Sequence, residues 1–389
     1  MQLSRGDVFN SVTLDQKGAD VLSMKIANPD FPIADEIKHA LTEELESGRL
    51  LYTQMDKRTT GRIEAMAEKV KKRNRVEAAP EDIMVTSGVL PTMWLAVKYA
   101  CQPGDQVIVT DPMYPPFFGA AEACNVRIVY HKLDESRGYG FDIDALNELV
   151  TDRTKLIFVC NPHNPCGRVL TKKELRGIGE VAVDHKMTIM SDELWEDVVL
   201  DEREHVSIAS LSPEIEERVM TAFGFSKTYG VGGLYLGYLV ATNKQMMETL
   251  REISGNAAWW SRGPSNLSMV AAPCMLDETL KWWREGLTMH IAKLRNLIEK
   301  RFSEMPGITC PKLEGTYLMF PNLRSYGKTS REMTDYLLKE GKIRVSEGSE
   351  YGSNGEGHIR ICIATSEEII IEALDRIEHA LSKLMKPQT

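Results

Sequence analysis

The chain has 389 residues, 43% of them hydrophobic and 26% charged, with a formal net charge of -9 and a pI near 5.6. That is the composition of a globular protein long enough for one large domain and a smaller second one. The acidic balance argues against nucleic acid or an anionic membrane as the main partner, and no apolar stretch approaches the roughly 20 residues that cross a bilayer. The basic run Lys69, Lys71, Lys72, Arg73 and Arg75 lies among Glu64, Glu68 and Glu77 and reads as a solvated helix face. The first residues, Met1 to Asp7, lack the charged-then-apolar pattern of a secretory signal. Seven cysteines are scattered without a C-x-x-C pair, which fits reduced thiols in the cytoplasm. Neither they nor the eight histidines form a ligand pattern, so no metal site is expected.

In chain order, residues 20–26 form a short strand-like run that ends in the turn Asn28-Pro29-Asp30-Phe31-Pro32. An amphipathic helix follows over 34–46, with Ile37, Ala40, Leu41 and Leu45 on one face, and Gly48 stops it. After Leu50-Leu51-Tyr52-Thr53, a helix runs through Ile63 to Lys72, and 80–88 is a strand leading into a helix that carries Met93, Trp94, Leu95, Val97 and Ala100. Short Val- and Ile-rich runs at 106–110, 126–130, 155–160, 187–191, 219–223 and 238–241 then alternate with helical intervals, 172–184 being the clearest. Such alternation predicts an α/β fold, a mostly parallel sheet with helices on both faces. A long helix over 277–302, with Trp282, Trp283, Leu287 and Ile291, bridges to a second unit. Strands at 316–320, 343–345 and 358–363 and helices at 330–339 and 366–385 make that unit a small α+β domain.

Open parallel sheets bind ligands beyond the carboxyl ends of their strands, and chemically able residues recur there. Ser87-Gly88 follows one strand, Asp111-Pro112-Met113-Tyr114 another and Asn161-Pro162-His163-Asn164-Pro165-Cys166-Gly167-Arg168 a third. Asp192-Glu193-Leu194-Trp195 follows a fourth and Ser226-Lys227 a fifth. Lys227 stands between the apolar run 219–225 and a glycine-rich segment, so its amine is held on a rigid element where desolvation can make it nucleophilic. A lysine, a lone aspartate and ring-contacting residues on one rim suit pyridoxal phosphate: the lysine forms a Schiff base and the aspartate holds a proton on the pyridine nitrogen.

These motifs resemble the fold-type I pyridoxal-phosphate enzymes, specifically the class I/II aminotransferases and the related cystathionine β-lyase-like branch. The resemblance runs from Asn28-Pro29-Asp30-Phe31 to the last helix. It implies an aspartate aminotransferase-like large domain at 46–280, a small C-terminal α+β domain at 281–389, and an N-terminal segment, 1–45, that joins the small domain. It also implies Lys227 as the cofactor-linked lysine and proton shuttle, Asp192 as the pyridinium partner, Asn164 on the phenolic oxygen and Tyr114 stacked on the ring. Arg360, in Gly357-His358-Ile359-Arg360-Ile361, matches the arginine that grips the substrate α-carboxylate with a planar fork. Tyr52 matches a tyrosine that reaches the phosphate of a neighbouring subunit's cofactor, which implies a homodimer with shared sites. Ser87, the amides of Gly88 and Val89 at a helix N-terminus, and Ser226 fall where the phosphate is held.

The phosphate cup departs from the family pattern. Val89 stands where a hydroxyl is usual, Gly224 where a serine is usual and Tyr235 where an arginine is usual, so weaker cofactor retention is expected. Trp195 stands where a tyrosine usually donates to the phenolic oxygen. The substrate pocket would draw on Lys25 to Asn28, including Ala27, and on Trp195, Trp259-Trp260 and Tyr317, with Arg262 as a candidate for a distal carboxylate. Segments 114–118, 161–169 and 171–175 look more like the carbon-sulfur lyases, whereas 223–237 and 357–366 look more like aminotransferases. An aminotransferase is therefore expected, with a carbon-sulfur β-lyase or other Cβ/Cγ enzyme as the alternative. A non-catalytic binding descendant is the third reading, disfavoured by Lys227, Asp192, Asn164 and Arg360 occurring together.

Overall fold

Period-two alternation of apolar side chains builds the central sheet. Val107 and Val109, Leu156 and Phe158, Met190, Met220 and Leu239 pack into one apolar layer, while Ile108, Ile157, Ile189, Val219 and Tyr238 pack into the layer on the opposite face. The computed structural model describes residues 9, 20–48, 50, 57–256 and 264–384. Tyr52, Trp259, Trp260 and Arg262 lie outside them.

The first strand, β1 (Leu22–Ser23), stands apart from the central sheet. The sheet is built from β2 (Ile83–Thr86), β3 (Gln106–Asp111), β4 (Arg127–Lys132), β5 (Thr154–Cys160), β6 (Thr188–Asp192), β7 (Val219–Gly224) and β8 (Gly237–Val240), in the order β2-β8-β7-β6-β5-β3-β4. All pairings are parallel except those of β8, which runs antiparallel to both neighbours. Helix Lys172–Asp184 begins at a capping box in which Thr171 and Glu174 satisfy each other's backbone N–H groups. None of the described helices is long and apolar enough to cross a membrane.

Four short strands make the C-terminal unit: β9 (Leu318–Met319), β10 (Ile343–Arg344), β11 (Ser346–Glu347) and β12 (Ile359–Cys362). β12 pairs antiparallel with β9 and β11, and β1 pairs parallel with β10. The expected long helix is present as Lys281–Glu304, beginning later than expected because a separate short helix, Ala272–Leu276, precedes it. It ties the two units together: Trp283 Nε1 donates to Thr228 O at 2.8 Å and His290 Nε2 bonds Thr365 O at 2.7 Å.

The basic run 69–75 is a solvated face only in part: Lys69 and Arg73 turn inward. The helix Lys57–Lys69 widens into a π-helical turn, Val70–Asn74, and ends at left-handed Arg75 (φ 58°). The Lys69 side chain is 4% exposed, pairs with Glu196, donates to Asn74 Oδ1 at 2.9 Å and lies 4.1 Å from the Phe223 ring centre. Arg73 pairs with Asp197. Lys71, Lys72 and Arg75 keep the solvated character, pairing with Glu77, Glu68 and Glu204. Removing one partner of a buried ion pair strands the other. Lys69→Ala is therefore expected to destabilise the protein by about 3 kcal/mol, measured by denaturant unfolding, whereas Lys72→Ala should fall within about 0.5 kcal/mol of wild type.

Candidate active site

Because β2, β3, β5, β6 and β7 all run the same way, their carboxyl ends share one rim. The structure places Ser87, Gly88 and Val89, Tyr114, Asn164, Asp192 and Trp195, and Ser226 and Lys227 around a cleft of about 840 Å³. Ala27 and Asn28 of the N-terminal segment, Tyr235 and Arg360 of β12 complete its wall. Of the predicted site residues, Tyr52 lies outside the described residues, and so do Trp259, Trp260 and Arg262 from the expected substrate pocket.

Two ionisable groups in the cleft are displaced towards neutrality by burial. Desolvation lowers the Lys227 amine to about 8; Arg360 pushes the same way, and Cys362 and Asp192 oppose it. Its Nζ donates to Ala27 O at 2.8 Å and lies 5.6 Å from the centre of the Trp195 ring. Desolvation raises the Asp192 carboxyl to about 6, against the Leu194 N–H, which donates to Oδ1 at 3.1 Å, and against Lys227. Among the described residues no cation is paired with Asp192. Its neighbours on the same loop are satisfied: Glu193 by Ser191, Ser207 and His205, Glu196 by Lys69 and Asn74, and Asp197 by Arg73 and Thr228.

Arg360 is buried and anchored on several sides. Nη1 donates to Asn164 Oδ1 at 3.2 Å, and Nη2 donates to Lys25 O at 2.8 Å and to Ser346 Oγ at 3.3 Å. The guanidinium lies 5.0 Å from the Tyr351 ring centre, and its buried Nε has no partner among the described residues. Trp195 packs edge-on against Tyr317 at 4.6 Å, and Tyr317 OH donates to Ala27 O and Lys227 O, both at 3.3 Å. Sequence reasoning missed Ser346 and Tyr351 as cleft residues. The signal was the glycine spacing Gly348, Gly352, Gly355 and Gly357, which marks a tightly wound loop ahead of the arginine strand.

The sequence pattern of the family described as aminotransferase class I and II matches residues 19–377. The chain belongs to that family. It is 33% identical over 364 residues to an aspartate aminotransferase of Pyrococcus abyssi, covering 93% of this chain and 92% of that one. It is 31% identical over 382 residues to cystathionine beta-lyase PatB of Bacillus subtilis, covering 96% and 97%. Among solved structures, cystalysin from Treponema denticola, which contains a pyridoxal 5'-phosphate cofactor, superposes with a TM-score of 0.89 at 26% identity, over 99% of this chain and 98% of that one.

Pyridoxal 5'-phosphate is the cofactor of this aminotransferase-family chain. The cleft fits it chemically. A buried carboxyl without a cation suits a protonated pyridine nitrogen, a low-pKa amine suits an aldehyde, and the Arg360 guanidinium in the cleft wall suits a carboxylate.

The anion end is sparse. The Gly88 N–H, expected to face the phosphate, is engaged with Thr86 O at 2.9 Å in a three-residue turn centred on Ser87. Val89 remains as the backbone donor of that turn, at the N-cap of helix Leu90–Ala100. The space around Gly224 is apolar: a Cβ there would sit 2.7 Å from Leu194 Cδ1 and 3.2 Å from Val89 Cγ2. Tyr235 is left-handed (φ 50°) and 68% exposed. Tyr235→Arg should slow cofactor release from the purified holoenzyme by about tenfold or more, the worth of one charge-assisted hydrogen bond. A release rate unchanged by the substitution would count against a cation-poor phosphate site.

The raised Asp192 carboxyl also has a stability consequence. Its folded-state value exceeds the 3.8 of the free side chain, so its protonated form favours the fold, and that contribution is lost as pH rises from about 4 to about 6. Asp192→Asn should stabilise the apoprotein at pH 7.5 by on the order of 2 kcal/mol and leave it unchanged below pH 4. Denaturant unfolding of the apoprotein at the two pH values checks the sign.

Proposed function

We propose that the protein is an aminotransferase that acts on an L-amino acid, with Lys227 as the catalytic base. The observation that carries this reading is the convergence of a desolvated amine, a desolvated carboxyl and the Asn164–Arg360 pair on one cleft. When bound, pyridoxal phosphate supplies an aldehyde that takes up the amino group and a ring that accepts the electron pair left at Cα. Lys227 would hold the cofactor's aldehyde carbon, and its Nζ, whose amine burial lowers to about 8, would be the base for the Cα proton. Asp192 would keep a proton on the ring nitrogen, and Tyr114 would stack on the ring face. Asn164, whose Oδ1 accepts from Arg360, would offer Nδ2 to the phenolic oxygen. Ser87, Gly88, Val89, Ser226 and Tyr235 would hold the phosphate, and Trp195 would wall the ring edge. Arg360 would take the substrate α-carboxylate beside Ala27 and Asn28.

The chain is read as three parts, with 1–45 joining 281–389 against the cofactor-binding part 46–280. The Cys362 N–H bond to Met24 O at 2.8 Å and the β1–β10 pairing support that division. Exposed Ile26, Leu90 and Tyr235 at the cleft mouth support cover by a second copy, as a cytoplasmic homodimer in which Tyr52 reaches the neighbouring site.

A carbon-sulfur lyase is the second reading, favoured by the 31% identity to a cystathionine beta-lyase. It shares the Lys227 proton transfer, but the electron pair at Cα then expels a thiolate from Cβ. Incubation of the holoenzyme with single L-amino acids, with and without 2-oxoglutarate, decides between them. Keto-acid-dependent conversion is expected, and ammonia and pyruvate released without a keto acid would establish the lyase. Lys227→Ala should abolish either activity by about 10³-fold or more, and a variant retaining wild-type turnover would sink the assignment.

A further inference from the structure

The segment after β3 and the loop between β11 and β12 meet at Asp111. This buried carboxylate closes β3, immediately before the stretch that carries Tyr114. Ser353 Oγ donates to its Oδ2 at 2.6 Å and the Asn354 N–H donates to its Oδ1 at 3.0 Å. Asn354 Nδ2 donates to the carbonyls of Asp111 and Leu133, both at 3.1 Å, and the Met113 N–H donates to Tyr351 O at 2.8 Å. The loop is shaped for this contact. Gly352 has φ 117°, and a Cβ there would stand 2.2 Å from Asp111 Oδ1. At the loop's neck, a Cβ on Gly348 would stand 2.3 Å from Gly355 O.

What the loop carries is Tyr351, the ring on which the Arg360 guanidinium rests at 5.0 Å. Three hydrogen bonds hold the Nη atoms of Arg360 and the Tyr351 ring backs its plane, so the face that the guanidinium turns to the cleft depends on the ring as well as on those bonds. We propose that Asp111 is a positioning residue for the substrate carboxylate: by pinning Ser353 and Asn354 it fixes Tyr351, and through Tyr351 the orientation of Arg360. The proposal rests on the reading of Arg360 as the carboxylate ligand. The bonds cross from the large sheet to the C-terminal unit, so the latch also sets the distance between the Tyr114 stretch and Arg360.

The test uses the holoenzyme, acetate as a bare carboxylate probe, and the best amino donor from the amino-acid survey. Ser353→Ala combined with Asn354→Ala removes the three side-chain bonds of the latch, leaving only the backbone N–H of 354 on Asp111, without touching residues 111–114. It should raise KM and the acetate dissociation constant, read from the visible absorbance of the bound cofactor, by about tenfold. The kcat and the rate of cofactor release should change less than about twofold, a split that general loosening of the fold would not give. Asp111→Asn keeps an acceptor for Asn354 and should stay near wild type, whereas Asp111→Ala should match the double variant. Arg360→Ala separates the two ideas. If it leaves acetate binding unchanged, the reading of Arg360 falls and this proposal with it. If it weakens acetate binding while both the double variant and Asp111→Ala leave it unchanged, the positioning role alone is overturned.

Discussion

Removing water from Lys227 lowers its amine to about 8, and removing water from Asp192 raises its carboxyl to about 6. Both are still mostly charged at pH 7, but each sits within about one unit of changing its charge, which leaves both able to respond to a ligand that brings its own charge. The parallel sheet makes this possible by ending its strands together, so that polar ends meet in one place while the strand interiors remain apolar.

The loop after β6 shows how closely that state is controlled. Four carboxylates occur from Asp192 to Asp197, and three of them have side-chain donors or cations among the described residues, whereas Asp192 has only the Leu194 N–H. The π-helical turn at Val70–Asn74 supplies much of this support, since widening the helix brings Asn74 and Lys69 to Glu196 together. Thr228, next to Lys227, bonds Asp197 at 3.2 Å, so the lysine turn and the aspartate loop share one anchor.

The strands, their order of use and the rim residues were legible in the sequence because each rests on a local signal: period-two alternation, or a turn directly after an apolar run. Asn164 and Arg360 could be named separately, but their 3.2 Å contact could not, since it spans 196 residues. The burial of Lys69 was misread because its charged neighbours follow a surface pattern, and only the turn that re-aims the side chain reveals it. The bond from the Gly88 N–H to Thr86 O was not legible either, because it depends on backbone angles that the motif does not encode. Tyr351 carried no signal of its own, because its place is fixed by a loop that closes on a distant strand end.

The contact between Gly224 and Leu194 constrains how this cleft could be reached by single substitutions. A Cβ at Gly224 would stand 2.7 Å from Leu194 Cδ1 and 3.2 Å from Val89 Cγ2, so any side chain placed there must first turn the leucine methyl aside. That methyl is the free end of a flexible side chain, and its movement is the smaller part of the cost. A hydroxyl gained at 224 therefore comes with a rotated Leu194, and the apolar character of this wall is held by two side chains rather than by the glycine alone.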